Sequence, residues 1–129
     1  RRHQQVIPPL VLRTLQVVWI GEQELPIDQH ELIALIALIA PRAVYVASAD
    51  EDLWADPRGE YAALVAAGPV FELFGLKRIT DPGMPPLNTP RHVGSTGYHI
   101  RTGVHNLTEQ DWGYFLDFSA GVFIREDVK

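Results

Sequence analysis

Two residues of this chain have the type and the placing to move a proton. His105 stands in a glycine-led turn, Gly103 to Asn106, and Asp52 stands in an acidic, aromatic run from Asp50 to Pro57. An imidazole, with an unperturbed pKa of about 6.5, can take a proton from a hydroxyl nucleophile and return it to a leaving alcohol. A carboxylate on its other nitrogen fixes the tautomer and stabilises the imidazolium. Each residue also has a plain structural use, because an aspartate ahead of a helix is a common cap and a histidine in a turn is often a cap or a surface group. The nucleophile is not legible. No G-x-S-x-G run exists, and the serines are Ser48 at the end of a strand pattern, Ser95 ahead of one, and Ser119 after the last helix pattern.

The elements that must position these residues alternate along the chain. Leu10 to Ile20 is a short apolar run that periodicity cannot assign to strand or helix. Asp28 caps an expected helix to Ala40, with Glu31 three residues on and Pro41 as its stop. Its tandem Ala-Leu-Ile triplets make it apolar all round, so it should be covered on several sides. Ala43 to Ser48 reads as a parallel strand buried on both faces. Pro57 starts a helix to about Ala67, Gly68-Pro69 punctuates it, and Val70 to Phe74 forms a short continuation. Lys77 to Val93, with Pro82, Pro85, Pro86 and Pro90, is expected as a long surface loop. Tyr98 to Arg101 is a strand and Leu107 to Phe118 a helix. This order makes βα units of a mostly parallel sheet with flanking helices. In such sheets function gathers beyond the C-terminal ends of the strands, where Asp52 and His105 both fall.

Composition narrows the classes. The 129 residues suffice for one domain with one modest core. With 47% hydrophobic and 21% charged residues, the chain reads as globular. A formal charge of -5 and a pI near 5.4 provide no basic field for nucleic acid, which is excluded as a partner. Pro8, Pro9, Arg13 and Gln16 interrupt the apolar start, so neither a signal segment nor a membrane partner is expected. Cysteine is absent, and His30, His92, His99 and His105 follow no recognised ligand spacing. No metal and no cofactor are expected.

The run Leu25-Pro26-Ile27-Asp28-Gln29-His30-Glu31-Leu32-Ile33-Ala34-Leu35-Ile36, with Ala40-Pro41-Arg42 and Tyr45-Val46-Ala47-Ser48, resembles the bacterial branch of carbohydrate esterase family 15, the glucuronoyl esterases. Asp52-Leu53-Trp54-Ala55-Asp56-Pro57-Arg58-Gly59-Glu60 and Gly97-Tyr98-His99-Ile100-Arg101-Thr102-Gly103-Val104-His105 are similar to two further motifs of that family, in the same order, and the helix with Asp111-Trp112 and Leu116-Asp117-Phe118 completes the likeness. The resemblance covers about residues 25–118, with 1–24 matching poorly and 119–129 left as a tail. It implies the C-terminal portion of an α/β-hydrolase, secreted or periplasmic, cleaving the ester between glucuronic acid on xylan and lignin alcohols. It also implies His105 as the triad base, Asp52 as its acid, although some members draw that acid from an earlier strand, and Trp54 as an aromatic of the sugar pocket. Arg101 and His99 share the motif but lie on the strand, where packing is the expected duty. Departures are the second triplet, nearly one extra helical turn, Asn106 where an acid is common, and Ala43 where proline is common. Three outcomes are compatible with these residues: a piece of a serine esterase whose nucleophile lies elsewhere, a small hydrolase with an unusual site, or a non-catalytic remnant. A partial parallel sheet leaves an open edge and uncovered helices, so a homo-oligomer or a missing N-terminal part is expected as partner beside a carbohydrate ester substrate.

Overall fold

A computed structural model describes residues 16–18 and 29–127. Its four-stranded sheet has the order β1-β2-β4-β3, where β1 is Gln16–Val18, β2 Val44–Ala49, β3 Arg91–Val93 and β4 Thr96–Arg101. β1, β2 and β4 run parallel, and β3 is an antiparallel edge strand joined to β4 by a hairpin. The helices are α1 (Gln29–Ala37), α2 (Pro57–Leu73) and α3 (Glu109–Asp127).

Successive side chains of a strand point to opposite faces, and β2 uses both. Val44 and Val46 join Leu32, Ile36, Tyr61, Leu64, Ala67, Phe71, Tyr98 and Ile100 in the core under α1 and α2. Tyr45 and Ala43 pack with Phe115 and Phe118 of α3 on the other side. The result is three layers with the sheet in the middle, as the unbroken apolar run of β2 demands. Gly97 has a local reason, since a Cβ there would come within 2.5 Å of the Tyr45 ring.

Several elements depart from expectation. α2 runs unbroken through Pro69 to Leu73. The proline deprives the helix of one bond, to the carbonyl of Val65, while Ala67 and Phe71 on either side are buried in one core and hold the two halves in line. The segment after α2 is no plain surface loop. Arg91–Val93 is a strand, Ile79 is buried, its N–H donates to Thr96 Oγ1 at 2.8 Å, and Tyr61 Oη donates to the Asp81 carbonyl. Prolines that donate nothing let this segment be fastened by its few remaining backbone groups. α3 continues past Phe118 to Asp127. α1 and the turn after it are covered on one side only: Leu32, Ile36 and Ile39 are buried, whereas Leu35 is 44% and Leu38 76% exposed. Asp28 and most of Leu10 to Ile20 lie outside the described residues, of which the strand Gln16–Val18 is the described part.

Pro69 is exposed, so its ring contributes little packing. Pro69→Ala restores one helical hydrogen bond and should stabilise the chain by about 1–2 kcal/mol, the helix-interior penalty of proline less the entropy that the unfolded chain regains. A rise in the urea midpoint at unchanged slope is the expected result.

Candidate active site

β2 and β4 are neighbours in parallel register, with Ala49 opposite Arg101, so the loops that follow them leave the sheet side by side. Two backbone-level ties fasten these loops: Gly103 N–H donates to Asp50 Oδ1 at 2.8 Å and Glu51 N–H to the Gly103 carbonyl at 3.0 Å. Between them Asp52 Oδ2 meets His105 Nδ1 in a hydrogen bond. Asp52 precedes the 3-10 turn Leu53–Ala55 but makes no capping bond with its side chain. The capping duty falls to Asp56, which accepts from Gly59 N–H at 3.1 Å at the start of α2. The Asp52 carboxylate is thereby left for the imidazole, and it makes Nδ1 the protonated nitrogen and Nε2 the basic one. His105 is 35% exposed in its side chain and Asp52 14%. Trp54 sits in the turn beside them, 80% exposed.

Beneath this pair lies a buried network. Asp111 Oδ2 accepts from Arg101 Nε at 2.8 Å and from Thr108 N–H and Oγ1 at 2.8 and 2.9 Å, and its Oδ1 meets His99 Nε2 at 2.7 Å. Burial acts to raise the Asp111 pKa, but the bonds from Arg101, Thr108 and His99 outweigh it and hold the carboxyl below its usual range. Burial pushes His99 down against the pull of Asp111, so its ring is neutral. A neutral ring facing a carboxylate carries its proton on Nε2, and Nδ1 then accepts from Tyr45 Oη at 2.9 Å. The Tyr45 phenol is kept protonated by burial, and it accepts in turn from His92 Nε2 at 3.2 Å. His99 and Arg101 are thus held on the strand by polar bonds, to which His99 adds ring contacts with Tyr45, Tyr114 and Phe115.

On the other face of the sheet Glu60 of α2 is 5% exposed and accepts from Ser48 Oγ at 2.5 Å, while Tyr98 Oη donates to Ser48. Burial raises the Glu60 pKa to about 7, Ser48 opposes this, Asp52 and Asp56 add to it, and His105 opposes it. Asp111 and Glu60 were not singled out from the sequence. Asp111 had a signal, since Thr108-x-x-Asp111 is a capping-box spacing, here realised with Asp111 N–H donating back to Thr108 Oγ1 at 3.3 Å. Glu60 had none, because one acidic residue in a helix start reads as a surface charge.

The three serines of this chain are bonded to other groups. Ser48 is engaged by Glu60, and Ser119 lies inside α3, not after it, with its Oγ on the Phe115 carbonyl. Ser95 turns the β3–β4 hairpin at the opposite end of β4 from His105, roughly 20 Å away at the rise of a strand. Gly94 precedes it at a φ of 59°, with the Lys77 carbonyl where a Cβ would be. Among the described residues no group of three or more His, Cys, Asp or Glu is placed to hold a metal ion, and no helix is long and apolar enough to cross a membrane.

Parallel strands that deliver an acid and then a histidine to adjoining loops make this the C-terminal portion of an α/β-hydrolase. Residues 12–75 match the family of fungal glucuronyl esterases. A curated carbohydrate esterase of an unknown prokaryotic organism is 44% identical over 99 residues, which are 76% of this chain and 22% of that protein. The glucuronoyl esterase from Solibacter usitatus is 49% identical, with 80% of this chain and 25% of that one covered at a TM-score of 0.65. A promiscuous esterase of carbohydrate esterase family 15 from a marine bacterial metagenome is 41% identical, covering 75% and 23% at 0.65. The chain belongs to the glucuronoyl esterases of carbohydrate esterase family 15, and it spans about a quarter of the length of these relatives. The family match begins at residue 12, ahead of Leu25, in the stretch that contributes β1.

Glu60 gives the fold a pH dependence of defined sign. Its folded pKa of about 7 lies above its unfolded value, so the folded chain binds the extra proton between the two, and stability falls as pH rises from about 4.5 to 7. Glu60→Gln keeps an acceptor for Ser48 and removes the titration. Its stability relative to the wild type should climb by about 3 kcal/mol across that interval and level off above it. Urea midpoints at pH 4.5, 6 and 8 measure this, and a constant difference would show that Glu60 ionises freely.

Proposed function

We propose that this chain carries the acid and histidine end of a serine-type carboxylic ester hydrolase acting on glucuronate esters of xylan with lignin alcohols. The observation that supports it is the Asp52–His105 pair, formed between loops at the C-terminal ends of adjoining parallel strands. In this reading His105 Nε2 moves the proton between nucleophile and leaving alcohol, Asp52 holds Nδ1, and the indole face of Trp54 receives the apolar side of a sugar ring. The serine comes from polypeptide that this sequence does not contain, and substrate access belongs to the exposed side of the two loops.

The expected activity of the chain by itself on a glucuronate ester is weak or nil. The decisive comparison places residues 25–118 in the corresponding segment of the Solibacter esterase. There His105→Ala should lower kcat/KM by about 10² to 10⁴. Asp52→Asn should cost less, if a second carboxylate can orient the ring, and His99→Ala should act mainly through stability. Turnover that survives His105→Ala, or a serine-directed phosphonate that labels Ser95, defeats the assignment.

A second feature concerns the particle. Leu35 on α1 and Leu38 in the turn after it, and Trp112 and Leu116 on α3, are large apolar side chains open to solvent, on opposite faces of the sheet. Faces of this kind fit a homo-oligomer or further polypeptide of the same enzyme. The native mass by light scattering should exceed that of one chain at micromolar concentration, and a monodisperse monomer would count against it.

A further inference from the structure

We propose that Arg101 is the positioning residue of the site: anchored by Asp111, its guanidinium grips the backbone on both sides of His105 and so aims the imidazole at Asp52. This rests on the reading of His105 as the base.

The geometry is unusual for a strand residue. The Arg101 side chain is 4% exposed and its Nε is spent on Asp111. Its remaining nitrogens face outward along the loop: NH1 donates to the Thr102 carbonyl at 3.3 Å, and NH2 to the Val104 carbonyl at 3.2 Å, the Asn106 carbonyl at 2.5 Å and Asn106 Oδ1 at 2.6 Å. Three carbonyls at alternate positions, 102, 104 and 106, thus converge on one cation, and His105 lies between the last two. The loop can wrap this closely because residue 103 is glycine. Its φ is 123°, and a Cβ there would stand 3.1 Å from Arg101 NH1. The same Gly103 is fastened to the Asp52 loop by Asp50 and Glu51. One guanidinium therefore sets both the fold of the histidine loop and its distance from the acid.

Stability alone is a poor reason for such a group. A buried ion pair recovers little more than its own desolvation, and apolar residues of similar volume often do as well. What an apolar residue could not do is satisfy three inward carbonyls. Lysine could not either, because its ammonium lacks the planar fork that serves Asp111 on one side and the loop on the other.

The test reads the ring itself. In the 129-residue chain, labelled with nitrogen-15, the two imidazole nitrogen shifts of His105 are identified by their loss in His105→Ala. At a pH where the ring is neutral they should show a single Nδ1–H tautomer. Arg101→Lys should convert this to a mixture of tautomers, as Asp52→Asn should, while the ring of His99 keeps its Nε2–H form. Should Arg101→Lys fail to fold, Asn106→Ala removes one grip at an exposed position and should give a smaller shift in the same direction. A wild-type tautomer in Asn106→Ala, and in Arg101→Lys where that variant folds, overturns the proposal. Because the readout is not activity, that failure is separate from a failure of the base assignment, which shows as turnover independent of His105.

Discussion

The buried carboxylate of Asp111 is the constraint on which the arrangement of the site depends. An ionised group 2% exposed cannot persist unless its lone pairs are filled. Here they are filled by four donors from three places: Arg101 and His99 on β4, and the backbone and hydroxyl of Thr108 at the start of α3. Satisfying one carboxylate therefore locks a helix to a strand, fixes the tautomer of His99, and through it orders the Tyr45 hydroxyl and His92. Arg101 extends the lock to the loop that carries His105.

The opposite face of the sheet is organised by a second buried acid of different character. Burial outweighs the one bond that Glu60 accepts from the Ser48 hydroxyl, so its charged form is disfavoured where that of Asp111 is favoured. Two carboxylates on either side of one sheet thus sit in opposite protonation regimes, set by whether burial or hydrogen bonding prevails. Asp52, by contrast, is partly exposed and engaged by a histidine, which fixes the direction of both side chains.

Kinship to the glucuronoyl esterases covers 75% to 80% of the chain, but only a quarter or less of each relative. Among the described residues Asp52 and His105 meet at the ends of adjoining strands, while Ser48 is bonded to Glu60 and Ser119 to the Phe115 carbonyl.

Local chemistry was legible in the residues. β2 announced itself by an unbroken apolar run, α2 by Pro57 behind an aspartate, and the βα order by the alternation of the two, so the layers and the parallel pairing followed. Asp52 and His105 could be named as candidates because few residue types move protons near neutrality. Their contact was expected from the βα order and the resemblance, and the pairing of β2 with β4 realises it, but the antiparallel edge strand β3 could not be read. Nor could the continuity of α2 through Pro69, where a shared core on both sides outweighs one lost hydrogen bond, or the passage of α3 beyond Phe118. The roles of Arg101 and Glu60, and that of Asp111 beyond its capping-box spacing with Thr108, belonged to the tertiary structure. A charged residue reads alike on a surface and in a core, and only the packing around it determines whether water or other side chains must satisfy it.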